Sequence, residues 1–156
     1  QDISSWNICN VTSLESMFFN AESFNQEINW NTSKVTNMSE MFSFAKAFNQ
    51  DISQWDVSNA INMEEMFSEA KAFNKNISSW IFNDNTNINS LFEYATAFQD
   101  KYNNGNPLPN HTDEIKEWII NNRERMNDID LKDKYGEEID MFFDKLQTNS
   151  IQKKEI

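Results

Sequence analysis

Large apolar residues recur along this chain at a fixed interval. Trp6, Trp30, Trp55 and Trp80 are separated by 24, 25 and 25 residues. Phe24, Phe48, Phe73 and Phe98 keep those intervals, as do the pairs Met17-Phe18, Met41-Phe42, Met66-Phe67 and Leu91-Phe92. Ile3, Ile28, Ile52 and Ile77 form a further column. The odd interval arises at Ile28 and Trp30, which are two apart where the other copies leave three. Self-similarity of this kind marks a stacked array, here four copies over residues 1–98.

Each copy divides into two parts. In the third, Ile52, Trp55 and Val57 end on a period of two, which predicts a short strand. Asn62 then precedes Met63, Met66, Phe67 and Ala70, spaced i, i+3, i+4, i+7, which predicts a short helix. The same face is spelled by Leu14, Met17, Phe18 and Ala21, by Met38, Met41, Phe42 and Ala45, and by Ile88, Leu91, Phe92 and Ala95. Asn37 with Glu40 and Asn62 with Glu65 fit a capping box. Helices this short do not hold alone, so neighbouring copies must supply the missing burial. The expected fold is an α/β repeat solenoid with one short parallel strand and one short helix per repeat.

Past Phe98 the pattern stops. Residues 99–111, with Gly105, Pro107 and Pro109, read as a linker. A helix is expected from Thr112 or Asp113, with Ile115, Trp118, Ile119 and Met126 near one face. A second is expected after Gly136, with Ile139, Phe142, Phe143 and Leu146 on one face. The last five residues read as a frayed tail. Residues 112–156 would form a C-terminal helical cap over the apolar end of the array, the other reading being a separate interaction element.

Composition sharpens this picture. Hydrophobic residues make up only 38% of the 156, but aromatics reach 13%, with 13 Phe and 5 Trp. Burial therefore rests on a few large rings. Asp and Glu number 25 against 13 Lys and Arg, a net charge of -12. That balance disfavours nucleic acid and anionic membrane surfaces and favours basic partners. No apolar run is long enough to span a bilayer, so no direct membrane insertion is expected of this fragment. The chain opens at Gln1-Asp2-Ile3, the middle of a repeat, and is expected to be part of a longer protein.

Little catalytic chemistry is visible. One cysteine, Cys9, and one histidine, His111, cannot supply the four or so ligands of a zinc site. Two glycines, Gly105 and Gly136, make no phosphate-cradling loop. Glu64-Glu65 and Glu137-Glu138 read as solvated faces. No catalytic, metal or cofactor site is expected. Asn25, Asn49, Asn74 and Gln99 form an amide column suited to bonding across copies. The tryptophan column has two readings, a buried core or an exposed ladder for carbohydrate. If Trp points inward, Asn29, Gln54, Ser79, Asn31, Asp56 and Ile81 point outward and present a polar sheet surface. These six are the candidate partner-binding residues.

The run Phe48-Asn-Gln-Asp-Ile-Ser-Gln-Trp-Asp-Val-Ser-Asn, followed by Asn62-Met-Glu-Glu-Met-Phe, resembles the repeat of BspA-like bacterial surface proteins, in the form found in mycoplasma surface lipoproteins. The resemblance covers residues 1 to about 98. It implies a divergent leucine-rich-repeat fold and display at the cell surface. It also implies a non-catalytic role in adhesion or protein–protein interaction with a host surface or matrix protein. A structural display or spacer array, and a carbohydrate-binding module, are the alternatives. Ile81, Phe82 and Asn85 depart from the repeat pattern in the last copy.

Overall fold

The segment spaced like a helix, Leu14–Ala21 and its equivalents, must satisfy its backbone groups somehow, and it does so in two directions at once. Met17 N–H bonds to Leu14 C=O, Phe19 to Ser16 and Ala21 to Phe18, each closing a four-residue turn. The alternate N–H groups point sideways. Those of Leu14, Ser16, Phe18 and Asn20 reach the carbonyls of Asn37, Ser39, Met41 and Ser43 in the next copy, at 2.8–2.9 Å. Met38, Glu40, Phe42 and Phe44 donate likewise to the third copy, and Met63, Glu65, Phe67 and Glu69 to the fourth. The result is a stack of four coils tied by a ladder of backbone hydrogen bonds that runs forward along these segments and is answered at its edge by Thr36 N–H on Thr12 C=O and Ile61 N–H on Thr36 C=O.

The structure, a computed structural model, describes residues 1–152, and their side chains except those at 139 and 150–152. It overturns the expected α/β repeat solenoid. Among the described residues the coils contain no strand, no sheet and no helix. Parallel pairing is limited to single bridges at Ser13, Asn37, Asn62 and Asn87. The physical reason is a left-handed residue at every fourth step: Ser16 and Asn20, Glu40 and Phe44, Glu65 and Glu69, Ser90 and Tyr94, with φ between 53° and 59°. Such residues end a right-handed helix, at a cost of about 1–3 kcal/mol each where the side chain is bulky, which the ladder offsets. A chain of turns then presents the same i, i+3, i+4, i+7 face as a helix. The capping boxes are not caps either. Asn37 and Asn62 accept from the N–H of Ser39 and Glu64, two residues on, as Asx turns.

The expected strand is a corner. Trp55 N–H bonds to Ile52 C=O, and Trp6 and Trp80 do the same with Ile3 and Ile77. Each indole N–H then crosses to the preceding coil: Trp30 to Ile3 C=O, Trp55 to Ile28 and Trp80 to Ile52, at 3.1–3.2 Å. Trp30, Trp55 and Trp80 are at most 5% exposed, while Trp6 in the end coil is 45% exposed. Three of the four rings are therefore core and closed to a sugar.

Around them the phenylalanines stack in two parallel ladders. Phe18, Phe42, Phe67 and Phe92 follow each other at 5.6–5.8 Å between ring centres, and Phe24, Phe48, Phe73 and Phe98 at 5.9–6.2 Å. Within each coil the two rings lie 3.9–4.1 Å apart. The amide column binds the bends, with Asn49 N–H on Asn25 Oδ1 and Asn74 N–H on Asn49 Oδ1. Tryptophan emission should accordingly be blue, with acrylamide reaching chiefly Trp6 and the half-buried Trp118, and Trp6→Phe/Trp118→Phe should remove most of the quenchable fraction. A quencher-accessible signal surviving that change would contradict the packing.

Two helices follow, α1 (Thr96–Asn103) and α2 (Thr112–Gln152). The expected linker is thus helical at its start. Beyond α1 it closes the ladder: Ser90 N–H bonds to Asn110 C=O, and Ile88 N–H to the Thr112 hydroxyl. Ile115, Ile119 and Met126 of α2 are fully buried in the same core as the fourth coil. Gly136, at φ 37° and ψ -117°, breaks α2 into two helical stretches. Past it the expected burial fails. Phe142, Phe143 and Leu146 are 49–60% exposed, with no element laid over them among the described residues. The side chain of Ile139 and the residues after Gln152 lie outside the described residues.

Candidate functional site

The Ile–Trp corners of coils 3 and 4 face the middle of α2, and between them lies a polar cleft of about 430 Å³. Asp51, Ser53 and Gln54 line it from one corner, Lys75, Asn76, Ser78 and Ser79 from the next, and Asn127, Asp130 and Lys101 from the helices. Its walls are held by specific bonds. Asn127 Oδ1 accepts from Asn76 Nδ2 and from the Ser78 hydroxyl, both at 2.9 Å. The Ser79 hydroxyl donates to Ser53 C=O of the preceding corner.

Behind the cleft sits a buried phenol. Tyr102 donates to Asp130 Oδ1 at 2.7 Å, and Lys101 pairs with the same oxygen at 2.9 Å. Burial, then the bond to Asp130, pushes the Tyr102 hydroxyl far above its usual range, so it stays a donor. Burial pushes the Asp130 carboxyl up, but the bonds from Lys101 and Tyr102 outweigh it and hold the group below its usual value.

Of the six candidate residues, the structure brings Gln54 and Ser79 together in this cleft. There is no sheet surface to carry the rest. Asn31 and Asp56 serve the bend: each accepts from the N–H and hydroxyl of the serine two residues on, Ser33 and Ser58. Those bonds from Ser58 also lower the Asp56 carboxyl. Asn29 is exposed and donates to Glu27. Ile81, 69% exposed, lines a separate cleft with Phe82, Lys116 and Ile120. Sequence reading missed Lys75, Lys101, Asn127 and Asp130. The lysines follow no repeat column shared by all copies, and the α2 residues show no pattern that ties them to a corner.

The ladder face carries a second electrostatic feature. Burial raises the Glu65 carboxyl above its usual range, and Glu40, Glu64 and Glu93 raise it further. An acid whose folded value is raised binds its proton more tightly when folded, so it destabilises at neutral pH, and stability rises as pH falls toward that value. Asp130 has the opposite sign: its contribution is present above its unfolded value of 3.8 and is lost as pH falls below that. Stability should therefore peak at mildly acid pH. Glu65→Gln should raise the melting temperature at pH 7 and flatten the rise between pH 7 and 5. A melting temperature that climbs steadily from pH 5 to 8 in the parent would contradict this assignment.

The class defined by these features is a stack of turn-built repeats with a polar cleft at its corners, carried against a helical segment. Residues 1–105 match the family described as Mycoplasma protein of unknown function, DUF285. The chain belongs to that family. No curated protein matches it, and no solved structure does. Among the described residues no helix is long and apolar enough to cross a membrane.

Proposed function

We propose that this chain is a non-catalytic binding module of a cell-surface protein, engaging a host surface or matrix protein through the polar cleft and the corners around it. The observation that carries this reading is the division of labour within each copy. Ile, Trp, Met and Phe are spent on stacking, and Asn25, Asn31, Asn49 and Asp56 on bends. Gln54 and Lys75 line the cleft, where a partner can replace water around them. The resemblance of the repeat to BspA-like surface proteins supports the surface setting and the adhesive role. In this reading turnover plays no part.

The test is binding of the chain to immobilised matrix and host-surface proteins, with Gln54→Lys/Lys75→Glu, both on the cleft wall, as the site variant and Phe67→Ala as the unfolding control. The corner variant should keep the parent's circular dichroism and melting curve while its binding falls by about tenfold. Binding that survives in the corner variant would move the site elsewhere, and absence of binding to every such protein would remove the adhesive reading.

A further inference from the structure

The ladder face, away from the cleft, holds an arrangement that stacking does not require. Phe44 and Tyr94 are 39% and 58% exposed, yet both sit in the left-handed region, at φ 58° and 54°. The same position in the first coil is Asn20, at φ 56°, a residue type that accepts this conformation readily. Bulky rings are thus carried on the surface where asparagine fits better. Phe19, 46% exposed, lies edge-on to Phe44 at 5.9 Å and extends the strip across the first coil. Carboxylates flank these rings: Glu40 lies four residues before Phe44, and in coil 3, between the two rings, Glu65 and Glu69 hold both left-handed positions. One cation of the chain already sits beside such a ring: Lys71 Nζ is 2.6 Å from Glu69, donates to Tyr94 C=O at 3.1 Å and lies 5.6 Å from the centre of the Tyr94 ring.

We infer that this aromatic and acidic strip is a docking surface for a basic segment of a partner protein, whose lysine or arginine side chains lie over the ring of Phe44 and the part of Tyr94 that Lys71 leaves exposed, and against Glu40 and Glu65. The occupant follows from charge complementarity. A ring face attracts a cation, the chain carries a net charge of -12, and Lys71 already places a cation beside one of these rings. An acidic segment would meet repulsion from the carboxylates at this strip, and a purely apolar one would strip them of water without pairing them. The inference rests on the binding-module reading but places a second contact on a different face.

The probe is a fluorescein-labelled peptide of alternating Arg and Ser, titrated with the whole chain and followed by anisotropy at physiological salt. Phe44→Asn/Tyr94→Asn keeps the net charge and puts the residue type of the first coil into the left-handed sites. It should melt at or above the parent's temperature and bind about fivefold more weakly or worse. Glu40→Gln/Glu65→Gln should weaken binding by at least as much. Glu137→Gln/Glu138→Gln, the same charge change on the far part of α2, should alter it by less than about twofold. Equal loss in the strip and control acid variants, an unchanged Phe44→Asn/Tyr94→Asn, or no binding of the peptide would each overturn the inference. If that happens while matrix binding still responds to Gln54→Lys/Lys75→Glu, the binding-module reading stands. If neither probe binds, both fall.

Discussion

Phe67→Ala should lower the stability of the chain by about 3–5 kcal/mol, the usual cost of emptying a fully buried aromatic site. The ring is 0% exposed. It stacks on Phe42 at 5.8 Å and Phe92 at 5.6 Å along one ladder, lies 4.1 Å from Phe73, and is 6.2 Å from Trp80. Removing it interrupts the ladder in the middle, where neither half can close the gap, because the backbone bonds of Phe67 to Leu91 and of Phe42 to Met66 hold the coils in register. Against a total of about 5–15 kcal/mol for a natural domain, such a loss leaves the variant largely unfolded at moderate temperature. Phe18→Ala, in the end coil at 9% exposure, should cost distinctly less, since water already reaches one side. Urea denaturation followed by tryptophan emission measures both. Equal losses at the two sites would show that the coils do not share one continuous core.

The second large effect is expected at the other end of the stack. Ile119→Asp places a carboxylate at a site with 0% exposure, within the core shared by α2 and coil 4. An uncompensated buried charge costs about 3–5 kcal/mol, but the molecule has a cheaper response than global unfolding. It can lift α2 away and hydrate the carboxylate. That would give up the bonds from Arg123 to Trp80 C=O, from Lys116 to Asn83 C=O and from Tyr102 to Asp130. Hydrogen exchange should therefore show protection lost over residues 107–130 and retained in the ladder amides of coils 1 and 2. Uniform loss across all four coils would mean that the stack cannot stand without the helix.

The repeat was legible in the residues because stacking demands identical side chains at identical places. Trp30, Trp55 and Trp80 had to be in phase for each indole to find the isoleucine carbonyl of the coil before it. The conformation of each copy was not legible, for a reason visible at Glu40 and Phe44. Hydrophobic spacing records which side chains face inward, and a helix and a string of turns give the same record. What separates them is the left-handed residue at every fourth step, and here that residue is Ser, Asn, Glu, Phe or Tyr, never the glycine that would announce it. The absence of glycine from the coils hid the turns. At the candidate site, Gln54 and Ser79 could be placed because they neighbour a Trp whose direction was arguable. Asn127 and Asp130 could not, since their contact with Asn76, Ser78 and Tyr102 spans 28 to 51 residues and depends on how α2 crosses the corner.

The shorter second copy has a consequence for how this array changes over time. Its missing residue falls between Ile28 and Trp30, and there the turn bond that closes the other corners is absent from the backbone pairings. Yet Trp55 and Trp30 still reach Ile28 and Ile3, and the ladder segment keeps full register. Insertions and deletions are thus absorbed at the corner, while one residue gained or lost in the ladder would put every second N–H out of step with its acceptor. The corners also line the cleft. A change of length is thus steered by the backbone onto the corners, whose contour can alter while the stack beneath keeps its register, and in the binding-module reading those corners are the contact surface.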